Sequence, residues 1–201
     1  MVKRVEWLVK EKGISFGRIQ VVDATHSIAD VDVRKDEERR GRRSEARDRD
    51  AAWGSKGRQR VKTWDGKVSL RNKFFYGYKA HLSLNAESGL ITSVVATAGD
   101  ETDGKQLRQL VEKDEVLGIK AEVYAGDKGY DDGENHQLLW AKGKKSALCL
   151  NEYRTQKKDG NKGLWLRMKA SEAYWEGLKQ RYKIEQKNAE AKRRHGLDRC
   201  R

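Results

Sequence analysis

The chain has no proline and only two cysteines in 201 residues. No physical argument accounts for the missing proline. Cys149 and Cys200 stand far apart, which excludes a disulfide framework and a zinc-ligand spacing and reads as two reduced thiols in a cytosolic protein. No apolar run approaches the roughly 18 residues that read as a membrane span. Residues 1–12 lack the apolar stretch of a signal peptide. There is no internal repeat. The glycine-containing stretch Gly126-Asp127-Lys128-Gly129 lacks the spacing of a nucleotide-binding phosphate loop.

What the chain does have is charge. Lys and Arg number 44 against 31 acids, giving a net charge of +13, and charged residues make up 37% of the sequence against 36% hydrophobic. A core is affordable in one domain's length of chain, under a heavily charged surface. The surplus is concentrated. Residues 34–73 hold 15 basic and 7 acidic side chains, 142–169 hold 9 and 2, and 176–201 hold 9 and 4. Basic blocks of this kind mark a polyanionic partner, usually nucleic acid.

Hydrophobic periodicity predicts an α/β order, β-β-β-α-β-α-β-α. The first strand covers 18–25 and ends near Asp23. Residues 27–71, with the cluster Arg39-Arg40-Gly41-Arg42-Arg43, read as a long basic loop. Residues 73–85 form the cleanest strand, with Phe74, Tyr76, Tyr78, Ala80, Leu82 and Leu84 on one face and His81 with Lys79 on the other. Ala86-Glu87-Ser88-Gly89 turns it into a partner strand at 90–97. Thr102 or Asp103 caps a helix carrying Leu107, Leu110, Val111 and Val116, ended by Gly118. That crossover implies parallel pairing for the strand at 120–127. A helix over 131–143, a short strand at 146–150 and an irregular insertion at 151–170 follow. A helix over 171–195 closes the chain, with Leu178 and Tyr182 anchoring it to the sheet.

Three acids stand out. Asp23 and Asp127 each end an apolar strand, and Glu185 lies on the closing helix between Arg181 and Lys192, on one stripe by helical spacing. Taken singly, the aspartates read as turn residues and the glutamate as a surface ion-pair member. Taken together, they supply the oxygen ligands that two hard cations need for phosphodiester chemistry. Trp53 and Trp64 in the basic loop are candidates for base stacking or for pinning the loop to the body.

Four motifs in order carry a resemblance. Val22-Asp23-Ala24-Thr25, Phe75-Tyr76-Gly77-Tyr78-Lys79-Ala80-His81, Gly126-Asp127-Lys128-Gly129-Tyr130-Asp131 and Arg181-Tyr182-Lys183-Ile184-Glu185, continued by 188–197, resemble DDE-type bacterial insertion-sequence transposases. Asp50 to Lys56, with its Trp-Gly pair, resembles the family's segment before the hairpin. The resemblance runs from about residue 18 to the end. It implies an RNase H-like mixed β-sheet flanked by helices, with a long basic loop between strands 1 and 2. It also implies a single catalytic domain over 1–201 without the family's N-terminal DNA-binding region. The implied activity is metal-dependent DNA strand cleavage and strand transfer of an insertion element. The alternatives are a nuclease or resolvase on the same scaffold and a remnant that only binds DNA. The implied catalytic and metal-binding residues are Asp23, Asp127 and Glu185, with two Mg²⁺ or Mn²⁺ ions. Arg181, Lys192, Lys128, Lys79, Arg42, Arg43 and Lys56 are implied to contact DNA. The partners implied are double-stranded transposon ends and target, and a second copy of the chain. The implied location is the bacterial cytoplasm at the nucleoid, with no membrane. The family's helical tyrosine falls on Leu178 here, with Tyr174 and Tyr182 nearby.

Overall fold

A computed structural model describes residues 7, 11–35, 48–151 and 162–200. The strands are β1 (Ile19–Ala29), β2 (Ala52–Lys62), β3 (Val68–Asn85), β4 (Ile91–Ala98), β5 (Val123–Gly126), β6 (Lys145–Leu148) and β7 (Arg199–Cys200). The helices are α1 (Leu107–Val116), α2 (Gly133–Ala141), α3 (Lys162–Lys169), α4 (Glu172–Lys179) and α5 (Tyr182–His195). The expected mixed sheet flanked by helices is present. Its hydrogen-bonded order is β2-β3-β1-β5-β6, with β4 paired to β3 and β7 to β1. No helix among the described residues is long and apolar enough to cross a membrane.

The chain divides into two compact units, and β1, β3, β4 and α5 each run from one into the other. The first unit holds residues 1–24, 81–95 and 102–189. Here β5 lies between β1 and β6, parallel to both, in the registers Val21↔Ala125 and Ala125↔Ala147. That is the parallel pairing expected of a helical crossover. Val22, Leu107, Leu110, Val111, Tyr124, Leu139 and Leu148 fill its core. The core also buries a polar knot. Asp114 on α1, fully buried, accepts from Ser83 Oγ at 2.7 Å, Thr92 Oγ1 at 2.7 Å and Tyr124 Oη at 3.1 Å. Burial pushes its carboxyl up, and these hydroxyl donors pull the other way. Helix α4 lies close on β5 and β6 because Gly177 offers no side chain; a Cβ there would come within 2.5 Å of Ala147 Cβ.

The second unit holds residues 25–80, 96–101 and 190–201. Among its described residues Ala29, Ala51 and Tyr76 form a core cluster, with Val31, Val33 and Tyr78 against them. Asp48 pins it, accepting from the Tyr78 hydroxyl and from Ala51 N at 3.0 Å. β2 and β3 pair antiparallel from Ala52↔Gly77 to Lys62↔Val68, with a register shift between Ser55 and Arg58. Helix α5 ends in this unit on Lys192, Arg193, Arg194 and His195, cations that suit the carbonyl end of a helix. Gly196 (φ +69°) stops it, and Leu197 N donates to Ala191 O at 3.1 Å. The chain then adds β7 parallel to the end of β1 through Ile28↔Arg199.

Several expectations are corrected. Much of the long basic loop is strand: β1 continues to Ala29, and β2 and the start of β3 occupy 52–71, leaving a connection over 30–51 of which 36–47 lie outside the described residues. With Val61 as its one β-branched residue and Lys56, Arg58, Arg60 and Lys62 among its eleven, β2 shows no apolar alternation that reads as a strand. Of the irregular insertion, residues 162–169 form α3, and 152–161 lie outside the described residues. The closing helix is two helices, α4 and α5, broken at Gln180 and Arg181. Tyr182 is exposed, and Ile184 and Asn188 are the buried anchors of α5 instead. Val116 is exposed at the end of α1. The single apolar face of β3 does not exist as such: Phe74 is exposed, while Phe75, Tyr76 and residues 80–85 are buried on both sides. A strand covered on both faces loses the alternation that a half-solvated strand shows.

Candidate active site

The first unit brings two of the three predicted acids together. Asp23 and Asp127 each follow by two residues the register pair Val21↔Ala125 on adjacent parallel strands. Neighbouring strands are about 4.8 Å apart, so the two aspartates lie near each other, close enough for the Asp127 charge to act on Asp23. For β5 this is the carboxyl end of the strand, where open α/β sheets place ligands; β1 does not end near Asp23 as expected but runs on to Ala29. Gly126 lets the two strands and β6 close tightly beneath; a Cβ there would meet Val22 Cγ2 and Leu148 Cδ2 at 3.0 Å.

Each aspartate is oriented. Asn188 Nδ2 on α5 donates to Asp23 Oδ2 at 2.8 Å. Gly129 N donates to Asp127 Oδ1 at 2.8 Å, so Asp127 caps the short 3₁₀ turn Lys128–Tyr130. Burial raises the Asp23 carboxyl to about 6; a backbone hydrogen bond from Ala24 opposes this, Asp127 adds to it, Arg181 opposes it and Asp103 adds to it. Desolvation and two like charges thus outweigh one arginine. Tyr130, fully buried, is held un-ionised by burial and by the same three aspartates.

Glu185 is placed differently. It is exposed on α5 and pairs with Arg181 at 3.8 Å. It stands three residues before Asn188, the residue that grips Asp23, hence about 4.5 Å along the axis and on the same side of the helix. Among the described residues no group of three His, Cys, Asp or Glu is gathered tightly enough to hold a metal ion. The structure therefore joins Asp23 with Asp127 and leaves Glu185 in an ion pair.

The predicted DNA contacts fall in both units. In the first, Lys128 is exposed in the turn after Asp127, and Arg181 is half-buried beside Asp23 in charge terms. In the second, Lys192 Nζ lies 3.3 Å from both ring nitrogens of His26, Lys56 stands over the Phe75 ring at 5.6 Å, and Lys79 Nζ donates to Glu101 O at 2.8 Å. Arg42 and Arg43 lie outside the described residues. His81 is fully buried, with Nδ1 4.0 Å from Asp103 Oδ1. Tyr174, a neighbour of the missing helical tyrosine, is buried, and its hydroxyl accepts from Leu150 N at 3.4 Å.

Sequence reasoning missed Asp103 and Asn188. Asp103 read as a helix cap, yet its side chain caps nothing. Its carboxylate lies against the Asp127 turn instead, since a Cβ on Gly129 would come within 3.5 Å of Asp103 Oδ2. No local signal marks it. Asn188 carries one: it lies one turn beyond Glu185 and is the polar residue buried on a mostly exposed helix.

A family model, the transposase DDE domain, matches residues 15–201. No curated protein sequence matches. Among solved structures, "Crystal structure of the Mos1 mariner paired end complex with Mn" is similar at 11% identity and a TM-score of 0.34, covering 94% of this chain and 60% of that one. The chain thus spans less than two thirds of that neighbour's length.

Proposed function

The chain belongs to the transposase DDE domain family, and on that premise we propose that it cuts DNA strands and joins the freed ends to a target, with Asp23, Asp127 and Glu185 holding Mg²⁺ or Mn²⁺. The observation that carries this reading is the closeness of Asp23 and Asp127, each two residues past the register pair Val21↔Ala125, with Asp103 against the Asp127 turn. Burial first, and then the like charges of Asp127 and Asp103, raise Asp23, and a divalent cation relieves such a cluster. Oxygen donors alone suit Mg²⁺ or Mn²⁺. When bound, such ions activate the attacking oxygen and stabilise the leaving one.

The chain's own residues prepare that cluster. Asn188 and Gly129 fix the rotamers of the two aspartates. Arg181 offsets part of their charge and pairs with Glu185, which the helix itself sets within one turn of Asn188. Glu185 joins the aspartates by releasing Arg181, which then turns to a DNA phosphate. Lys128 and Lys192 are further phosphate contacts. The substrates are double-stranded element ends and target, handled by two copies of the chain at the bacterial nucleoid.

The test is metal-dependent nicking and joining of DNA carrying the element's ends, beside Mn²⁺ binding by calorimetry. Asp127→Asn is expected to abolish strand cleavage and lower Mn²⁺ affinity at least tenfold, with thermal stability kept. Cleavage surviving this change sinks the site assignment. Cutting without joining favours the nuclease alternative. Glu185→Gln and Asp103→Asn separate the third ligand from a bystander, since the true ligand loses Mn²⁺ affinity and activity together.

A further inference from the structure

The second unit carries a feature that strand transfer chemistry does not use. Beyond the register shift at Ser55/Arg58, β2 and β3 continue as a two-stranded ribbon from Arg58↔Asn72 to Lys62↔Val68. Gly57 (φ +83°) sits in the shift, where a left-handed residue bends a strand. Before it, Gly54 and Phe75 are buried; after it, nearly every residue on both strands is exposed. The ribbon is nonetheless well made. Its turn closes through Thr63 N to Lys67 O at 2.8 Å and Gly66 N to Thr63 O at 3.0 Å. The turn's carboxylate, Asp65, is occupied by the Thr63 hydroxyl and by Lys67 Nζ at 3.2 Å.

Its surface is unusual in two respects. Residues 52–73 carry seven Lys or Arg and that single carboxylate. They also expose apolar side chains: Trp64 completely at the tip, with Val68 and Leu70 exposed by 59% and 62%. Residues directly opposite in an antiparallel pair share a face. One face therefore presents Arg58, Arg60 and Lys62 against Asn72, Leu70 and Val68. A two-stranded ribbon with both faces in water is marginally stable alone, and a cationic face interleaved with bare aliphatics is made for a partner that offers both phosphate and apolar contact.

We propose that the β2–β3 ribbon is a DNA-binding arm that lies in the major groove of duplex DNA, with the Arg58, Arg60 and Lys62 face against the base edges and phosphates. The dimensions fit. Five paired rows at about 3.4 Å each span about 17 Å, and two strands with side chains match a groove about 12 Å wide and overfill one about 6 Å wide. Arginine pairs with guanine O6 and N7, and Val68 and Leu70 suit the thymine methyl, so this face holds the chemistry of base readout as well as of phosphate contact. Trp64 leads the tip. The proposal rests on the transposase reading for its partner, but on none of the metal-binding acids.

The experiment uses the whole chain in EDTA with mixed-sequence duplex several turns long. Binding is followed by fluorescence anisotropy against salt, and groove contact by dimethyl sulfate protection. For R58S/R60S/K62S the log–log salt slope is expected to fall by about 2 to 3, with guanine N7 protection lost and the unfolding transition unmoved. Trp64→Ser, which leaves the charges in place, is expected to weaken binding without changing the slope. An unchanged slope and footprint in the triple variant overturns the proposal, as does protection confined to adenine N3 in the minor groove. Loss of self-association with DNA affinity intact overturns it in favour of a subunit-clasping arm. Failure of the wild-type chain to bind duplex at all overturns it too. Binding that persists in a chain unable to cleave with Mn²⁺ sinks the transposase reading and leaves the arm standing.

Discussion

The two ends of β3 are made of similar residues and live in different solvents. Val68, Leu70 and Phe74 at the start are more than half exposed, whereas Ala80, Leu82 and Leu84 at the end are buried. The apolar content of the two stretches does not separate them. What separates them is company. At the far end Ser83 joins the buried polar knot with Thr92 and Asp114, and Leu82 and Leu84 on the alternate positions are buried too. Among the described residues the near end pairs with β2 alone. Exposure of an aliphatic on a strand is therefore a statement about what covers the strand, and an uncovered ribbon is a surface held ready for something else.

The largest test of this contrast is truncation in the buried end. Leu84→Ala is expected to cost about 2–5 kcal/mol, the transfer loss plus a cavity, measured by urea unfolding. Asp114→Ala removes the acceptor of three buried hydroxyls, of which Thr92 keeps Ser83 O and Gln20 Nε2 as partners, and is expected to cost about 1–3 kcal/mol, with Asp114→Asn recovering part of that because its amide oxygen still accepts. A loss below about 1 kcal/mol for either alanine variant would mean that this end is not the covered one.

The next tests use pH in metal-free protein, and the two units respond with opposite sign. Asp23 in the first unit has its carboxyl raised from 3.8 to about 6. The folded state then binds the proton more tightly than the unfolded state, so stability is lost as pH rises from about 4 to 6. A rise of that size is worth at most about 3 kcal/mol. Asp23→Asn removes this loss, so the variant is expected to be more stable than wild type at pH 7 in EDTA and inactive with metal. His26 in the second unit is lowered from 6.5 to about 4, by burial first and then by Lys192, Lys56 and Lys73. There the unfolded state binds the proton more tightly, so stability is lost as pH falls from about 6.5 to 4. The expected size is about 1–2 kcal/mol, because solvent screens this half-buried ring. Wild type hides both effects because they oppose each other over one window. Single variants, Asp23→Asn and His26→Gln, should unmask slopes of opposite sign, and a common sign would refute one of the two environments.

Legibility followed the same division. Where a strand or helix is covered and its neighbours are consecutive, the sequence spoke clearly: the hairpin at Ala86 to Gly89, the α1 crossover and the parallel β5 are where periodicity put them. Both aspartates were visible because short apolar runs end on them, although Asp127 follows the end of β5 whereas Asp23 lies inside β1, which runs on to Ala29. Asp103 was not, since its role depends on the folding of a different turn against its side chain. The β2–β3 ribbon was not, since seven cations dilute any alternation. Glu185 was visible as a charge on a stripe, but helical spacing says nothing about whether Arg181 or the aspartates hold it.

The smallest effect bears most directly on the contrast. Leu70 is 62% exposed on a strand that has no cover on that face among the described residues. Leu70→Ala removes surface already in water, so stability is expected to change by no more than about 0.5 kcal/mol. The matching Leu84→Ala change on the same strand costs several times that. If Leu70 is a contact residue of the arm, the variant instead weakens duplex binding a few fold at constant salt slope, because the lost contact is apolar and releases no counterion. A stability loss comparable to that of Leu84 would show that Leu70 is covered in solution, and the two ends of β3 would then differ in degree alone.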